Sequence, residues 1–175
     1  MHDGYLFTIG ICGSASDSGL ALACLDALLA ALPPVKRAAL LGEVLIFDGP
    51  PALDDPLTGP IRADIADAEL LLIVTPVISG GGIPARLRAL ARAVVAAPPP
   101  ARPRFAALVA LGPRHDPALA PLRRLCAAAE ATVIGELWLS AGGDELDDPA
   151  RRQLEALARA AYAQARSLAP EALPR

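Results

Sequence analysis

The sequence contains very little lysine and histidine, and each shortage excludes a class of site. Among the sixteen basic residues, Lys36 is the only lysine, and it follows Pro33-Pro34 in a segment that we interpret as a linker. A Walker-type phosphate loop needs a lysine after its glycines and is therefore excluded. The two histidines, His2 and His115, are too few and too far apart for a histidine-based metal site.

Cysteine is also scarce, and long apolar runs are absent. The three cysteines are odd in number and form no CxxC pair, so we expect no disulfide framework and a reducing, cytoplasmic location. The first apolar run, 5–12, is too short for a secretory signal. No window reaches about 18 apolar residues, which excludes a membrane-spanning helix on sequence grounds.

The composition that remains is that of a globular chain. Hydrophobic residues make up 54% of the 175 residues, enough for a substantial core. The net charge of −3 argues against a protein that binds nucleic acid through phosphate contacts. We expect one domain over residues 1–175, with frayed ends at 1–4 and 169–175.

Two hydrophobic periods alternate along the chain. Short apolar runs predict five strands, at Tyr5–Ile11, Val44–Phe47, Leu70–Val74, Phe105–Leu111 and Thr132–Leu139. Apolar residues at helical spacing lie between and after these runs, on Leu25 to Leu32, Leu87 to Val94, Leu119 to Cys126 and Leu154 to Ala161. A further short helix is expected within 52–67. This alternation predicts an α/β fold with a parallel sheet and helices on both faces.

Small, polar loops follow three of the predicted strands. In parallel sheets of this kind, ligands bind outside the carboxyl ends of the strands. The first loop, Gly13-Ser14-Ala15-Ser16-Asp17-Ser18-Gly19, offers three hydroxyls and leads into a helix N-terminus, which suits a phosphate. The loop does not have the GxGxxG pattern of a dinucleotide-binding loop. Its hydroxyls are neutral donors, which favour a monoester phosphate. The alternative interpretation is that these residues only cap the helix.

Three segments together resemble the NAD(P)H-dependent FMN reductase family. The first loop stands where the family has Gly-Ser-x-Arg-x-x-Ser. The segment from Thr75 to Arg88 resembles the family's Thr-Pro-x-Tyr-x-x-x-x-Pro-Gly-x-Leu-Lys. The third segment is 111–115, Leu-Gly-Pro-Arg-His, after the fourth strand. The likeness extends over about Phe7 to Ala165 and is closest in style to the sulfonate-utilisation flavin reductases.

The resemblance implies a flavodoxin-like three-layer fold with strand order 2-1-3-4-5, and an enzyme that passes hydride from NADPH or NADH to FMN. The flavin itself carries the hydride chemistry, so no catalytic side chain and no metal is expected. The implied partners are flavin and nicotinamide nucleotides, with a flavin-dependent monooxygenase as a further candidate, and the implied assembly is a homodimer or homotetramer. The implied cofactor-binding residues are Gly13, Ser14, Ser16, Ser18, Gly19, Pro76, Val77, Ile78, Ser79, Gly80, Gly81, Gly112, Arg114 and His115.

The sequence departs from the family pattern inside the flavin loops. Ser16 stands where the family has arginine, and Ile78 stands where it has tyrosine. These changes motivate an alternative hypothesis, a flavodoxin-fold protein that binds no flavin and acts as a partner or scaffold. A binder of another phosphorylated ligand is a third possibility. A receiver-like domain is nearly excluded, because it needs an acidic pair after the first strand and a lysine after the fifth.

Two further residues have structural interpretations. Cys12 ends the first strand without the glycine pattern of a nucleophile elbow, so we interpret it as a small core residue. Trp138 continues the fifth strand, and we interpret it as lying at a sheet edge or an oligomer contact rather than over a flavin. The acidic groups at 54–55 and 144–148 are interpreted as solvated turns.

Overall fold

Five parallel strands form one sheet. The computed structural model describes residues 6–13, 19–32, 44–45, 67–77, 82–84, 87, 102–112, 119–140 and 145–169. The strands are β1 (Thr8–Cys12), β2 (Val44–Leu45), β3 (Leu70–Pro76), β4 (Arg104–Leu111) and β5 (Ala131–Leu139). Their spatial order is β2-β1-β3-β4-β5, and each neighbouring pair is parallel. Both the parallel sheet and the predicted order are thus confirmed.

Three helices are present in the described residues. They are α1 (Leu20–Ala30), α2 (Leu119–Ala128) and α3 (Asp148–Leu168). Each was expected from its apolar spacing. The helix predicted after Pro84 and the short one predicted within 52–67 lie outside the described residues, apart from single helical positions at Leu87 and Asp67. The ends expected to fray, 1–4 and 169–175, also lie outside them, except for Ala169.

Strand alternation divides the core into two layers. On one face, Leu70, Leu72 and Val74 of β3 pack with buried residues of α1 and α3; we call this the α1/α3 core. On the other face, Leu71 and Ile73 pack with buried residues of α2; we call this the α2 core. Because successive side chains of a strand point to opposite faces, one continuous apolar run supplies both layers. The predicted helices on both faces are confirmed.

The three inner strands, β1, β3 and β4, are buried along nearly their whole length. Every residue of β4 is buried, and so is every residue of β3 except Pro76. β5 lies at the sheet edge, and Thr132 and Glu136 along it are exposed. The predicted edge position of Trp138 on this strand is therefore confirmed.

Among the described residues, the buried charged side chains, Glu69 and Arg104, lie at the amino end of the sheet. Arg104 is 3% exposed, and its guanidinium donates to the carbonyl oxygens of Ala129 (2.7 Å) and Ala68 (3.3 Å). Burial lowers the pKa of Arg104, while Glu130 and Asp67 oppose that shift. Glu69 accepts from the backbone N–H of Phe7 at 2.9 Å. These bonds join β3, β4 and the α2–β5 turn at the edge away from the Ser/Gly-rich loops.

Candidate functional site

The carboxyl ends of β1, β3 and β4 lie side by side and introduce the three loops found in the sequence. β1 ends at Cys12 before Gly13, β3 ends at Pro76 before Val77, and β4 ends at Leu111 before Gly112. These neighbours in the sheet bring the starts of the three loops together. None of the described residues at these strand ends is charged, so an anion bound here would be held by neutral groups.

Gly13 fits against the end of β3 because it has no side chain. A Cβ atom at this position would lie 2.6 Å from Oγ1 and 2.9 Å from Cβ of Thr75. The Gly13 N–H donates to the Val74 carbonyl oxygen at 2.7 Å and so extends the β1–β3 pairing by one residue. Gly13 therefore lets the two strand ends approach closely, but its N–H is already bonded within the sheet.

Thr75 is a site residue that the sequence reasoning missed. It is fully buried under Gly13, and its hydroxyl donates to the Pro76 carbonyl oxygen at 3.1 Å. The signal was a polar β-branched residue that ends a long apolar run just before a proline. Thr75 sets the spacing between the first and second loops.

Gly19 is needed for its backbone conformation. Its φ of +113° and ψ of −174° lie in a region that is essentially restricted to glycine. A Cβ here would meet no atom within 4 Å, so close packing is not the reason for glycine at this position. Gly19 turns the chain into α1, and its carbonyl oxygen accepts from Ala23 in the first bond of the helix, at 3.1 Å.

The N-terminus of α1 differs from that of α3. No side chain of the described residues caps α1, and its first turn contains no acidic residue. By contrast, Asp147 accepts from the Ala150 N–H at 2.7 Å, and Asp148 lies in the first turn of α3. The first N–H groups of a helix have no partner within the helix and carry the positive end of its dipole. An anion at α1 would therefore not compete with a carboxylate of that helix.

A cavity of about 320 Å³ lies between the start of α1 and the start of α3. Its described lining consists of Leu20, Leu139, Ser140, Glu145, Leu146, Asp147 and Ala150. The two carboxylates make this cavity unfavourable for a phosphate.

Gly112 and Val77 join the second and third loops. The Val77 N–H donates to the Leu111 carbonyl oxygen at 2.8 Å, and the Gly112 N–H donates to the Leu139 carbonyl oxygen at 3.0 Å. The indole N–H of Trp138 donates to the Gly112 carbonyl oxygen at 2.8 Å. Trp138 is thus a second residue near the site that the sequence reasoning did not include, since its edge position gave no sign of this bond.

Five of the predicted cofactor-binding residues lie in the described part of the chain, and all five are at this edge: Gly13, Gly19, Pro76, Val77 and Gly112. Their backbone groups shape the loop starts. The other nine lie outside the described residues: Ser14, Ser16, Ser18, Ile78, Ser79, Gly80, Gly81, Arg114 and His115.

The cysteines are buried. Cys12, Cys24 and Cys126 form no disulfide and are all buried, which confirms the core interpretation of Cys12. Burial raises the pKa of Cys24 to about 11, with a smaller contribution from Cys12. Burial, with a smaller contribution from Glu136, raises the pKa of Cys126 to about 12. Cys24 and Cys126 are therefore protonated at neutral pH and poorly suited to nucleophilic or metal chemistry.

The described residues contain no cluster of His, Cys, Asp and Glu side chains that fits a metal ion. No helix among them is long and apolar enough to cross a membrane.

The strand order and the position of the loops define a flavodoxin-like fold, and comparison with solved structures agrees. An NADH:FMN oxidoreductase in its apo form (EMOB) superposes with a TM-score of 0.70 at 17% identity, over 94% of this chain and 90% of that chain. A flavodoxin from Streptococcus pneumoniae TIGR4 superposes with a TM-score of 0.60 at 14% identity, over 90% and 97% of the two chains.

An oxidoreductase from Corynebacterium diphtheriae has a TM-score of 0.58 at 17% identity, over 94% of this chain and 97% of that chain. Identities this low show the fold alone. No protein-family model matches the chain, and no curated protein matches its sequence.

Proposed function

We propose that this protein binds FMN at the carboxyl edge of its sheet and transfers hydride from NADH or NADPH to that flavin. The observation that carries the proposal is the start of α1, which has no acidic residue and no side-chain cap among the described residues and follows the Ser-rich loop. Flavodoxin-like proteins superpose on the chain over nearly its whole length, and one of them is an NADH:FMN oxidoreductase.

The chain's own residues fit a flavin phosphate in a specific way. The N–H groups of Leu20, Ala21 and Leu22 precede the first helical bond, which is made by Ala23. They would donate to the phosphate, together with the hydroxyls of Ser14 and Ser18. Bonds to a charged group contribute about 1.5–3 kcal/mol each, so a few of them suffice for stable binding.

The role of the protein in the reaction is to hold the flavin and the nicotinamide nucleotide and to orient them. A bound flavin supplies the hydride-accepting chemistry, and no side chain needs to act as a general base. In this proposal the loops that start at Val77 and Gly112 border the ring, and Arg114 attracts the phosphates of the nicotinamide nucleotide. The choice between NADH and NADPH is left to experiment.

The first experiment is a titration of the purified protein with FMN, followed by visible absorption and flavin fluorescence. We expect saturable quenching and a perturbed flavin band. The double variant Ser14→Ala with Ser18→Ala should weaken FMN binding by about a hundredfold to ten-thousandfold, because two charge-assisted bonds are lost. Ser167→Ala, at the exposed end of α3, is the matched control and should bind like the wild type. Equal FMN affinity in the double variant would contradict the phosphate assignment.

A second test addresses the nicotinamide nucleotide. Arg114→Ala should raise the KM for NADH or NADPH more than it changes FMN affinity, because a guanidinium pairs well with phosphate. Steady-state oxidation of NADH and NADPH with FMN present measures both effects. An unchanged KM would remove Arg114 from the site.

The alternative proposal is a flavin-free member of this fold that acts as a partner or scaffold. It is favoured by Ser16 and Ile78, which replace an arginine and a tyrosine in the family pattern. No saturable binding at high micromolar FMN would support it over the reductase. Light scattering of the purified protein would test the proposed homodimer or homotetramer, and pull-down with a flavin-dependent monooxygenase would test that partner.

A further inference from the structure

An aromatic side chain of the neighbouring strand β5, Trp138, bonds the start of the third loop at Gly112. The carbonyl oxygen of Gly112 accepts from Nε1 of Trp138 at 2.8 Å, and its N–H donates to the carbonyl oxygen of Leu139 at 3.0 Å. Both backbone groups of Gly112 are therefore bonded to adjacent residues of β5. The N–H of Gly112 is therefore used within the sheet, while its carbonyl oxygen is held by Trp138 and keeps one lone pair.

Gly112 needs such a restraint. Its φ is +145°, a value that L side chains rarely adopt, and a glycine backbone is free to leave it. The hydrogen bond from Trp138 fixes the peptide plane between Gly112 and Pro113, and so the direction in which the third loop leaves the sheet. The indole ring is itself part-buried and packed against the α2 core, so its position is set before any ligand binds.

The same contact reaches the second loop. A Cβ on Gly112 would lie 3.4 Å from the Cβ of Val77, and the Val77 N–H donates to the Leu111 carbonyl oxygen at 2.8 Å. A shift of Gly112 would therefore move Val77, where the second loop begins. The path from Trp138 to Val77 runs through the backbone of Gly112 and Leu111, because the Val77 N–H bonds the Leu111 carbonyl oxygen.

We propose that Trp138 is a positioning residue that sets the start of both loops at the ligand edge through its hydrogen bond to Gly112. The inference rests on the proposed function for its consequence in flavin binding, but its structural part is independent of any ligand. The indole would act on flavin binding indirectly, because it bonds the start of the third loop, and in the proposed function that loop borders the ring.

The first test uses amide hydrogen exchange on the protein without ligand. Trp138→Phe keeps an aromatic ring and removes the N–H donor. We expect the amides of Gly112 and Val77 to exchange about three- to tenfold faster, the change expected for the loss of one hydrogen bond. The Gly13 amide, bonded to Val74 at the other end of the site, should be unaffected.

The matched control is Leu137→Met, a conservative change at the preceding residue of β5. Leu137 packs against the α1/α3 core, on the opposite face from Trp138. This variant should leave the exchange at Gly112 and Val77 as in the wild type. Unchanged exchange in Trp138→Phe, or equal acceleration at Gly13, would overturn the proposal, since the latter is what general destabilisation produces.

A second measurement needs no variant and covers the case in which Trp138→Phe does not fold. Trp138 is the only tryptophan in the sequence, so ¹⁵N labelling gives a single indole N–H signal. A bonded indole predicts slow exchange of that proton with solvent. Exchange as fast as that of a free indole would also overturn the proposal.

The consequence for the site is tested with FMN. If the wild type binds FMN, Trp138→Phe should weaken binding about three- to tenfold and shift the visible band of the bound flavin, while Leu137→Met does neither. An unchanged affinity and spectrum would overturn the positioning role and leave the proposed function standing. If the wild type binds no FMN, the proposed function fails, and the exchange measurements still decide whether Trp138 sets the loops.

Discussion

At the residue scale, the glycines of the site serve different physical purposes. Gly13 is required by contact, since its missing side chain leaves room for Thr75. Gly19 is required by conformation, since its surroundings are open but its φ is +113°. Gly112 combines a positive φ with a neighbour at van der Waals distance. The same residue type in three loops thus reflects two different constraints.

Replacing Gly13 with alanine should destabilise the protein by about 1–3 kcal/mol, because the new Cβ would overlap the Thr75 side chain in a tightly packed strand end. Gly19→Ala should cost a similar 1–3 kcal/mol from backbone strain alone. Urea unfolding measures both costs. Thr75→Ala removes Oγ1, the nearer of the two atoms that the new Cβ would meet, so it should reduce the cost of Gly13→Ala and leave the cost of Gly19→Ala unchanged. An equal change in both costs would contradict the assignment of contact at Gly13 and backbone strain at Gly19.

The two buried thiols with raised pKa values make stability fall in alkaline solution. Cys24 and Cys126 hold their protons in the folded protein up to about pH 11 and 12, whereas the ordinary value is 9.0. Above pH 9 the unfolded chain therefore binds fewer protons than the folded one. The free energy of unfolding should decrease by up to about 1.4 kcal/mol per pH unit for each thiol as the pH rises towards the folded values.

Urea unfolding at several pH values between 8 and 11 checks this dependence. Cys126→Ala should lower stability at all pH values through the lost volume, but it should also flatten the decrease above pH 9. A decrease with the same slope in Cys126→Ala and the wild type would show that this thiol does not contribute.

At the element scale, the buried Arg104 ties the amino ends of the strands together. It bonds the carbonyl oxygens of Ala68, before β3, and Ala129, before β5, while itself beginning β4. The starts of the Ser/Gly-rich loops lie at the opposite ends of β3 and β4. The bonds that anchor the strands therefore lie at one edge of the sheet, and the loops begin at the opposite edge.

Arg104→Lys should destabilise the protein by about 1–3 kcal/mol, because a single ammonium group does not reproduce the two bonds and leaves a buried carbonyl oxygen unsatisfied. Arg102→Lys is the matched control: its side chain is 55% exposed, and its ion pair with Glu69 should contribute at most about 1 kcal/mol. Thermal or urea unfolding gives both values. Equal losses at the two positions would contradict the bridging role of Arg104.

At the scale of the whole molecule, burial decreases from the centre of the sheet to its edge. β3 and β4 are buried on both faces, and β5 is half-exposed. Such a gradient predicts that the edge opens locally while the centre opens only with global unfolding.

Hydrogen exchange in low concentrations of denaturant would test this order. Amides of β4 should exchange with the free energy and the denaturant dependence of global unfolding. Amides near Thr132 on β5 should have a lower free energy of exchange and a weaker denaturant dependence. A uniform free energy of exchange along β4 and β5 would contradict the gradient.

Much of the fold could be read from local patterns. The period-2 and period-3.6 spacing of apolar residues predicted every strand and helix of the described residues, since each pattern depends only on which faces of an element are buried. Boundaries were less accurate: β1 was expected from Tyr5 and begins at Thr8, and β3 extends to Pro76 rather than Val74. Pairing with neighbouring strands, not the residues themselves, sets these ends.

The sequence by itself determined the alternating elements, the loops at the carboxyl edge and the neutral character of the strand ends, because these follow from residue type and order. Only the tertiary structure decided that Gly13 packs on Thr75 and that Trp138 bonds Gly112, 26 residues away in sequence. Such contacts depend on the distance between strands that are remote along the chain, which no local pattern encodes. The same holds for the bonds of the Gly112 backbone groups to Trp138 and to Leu139.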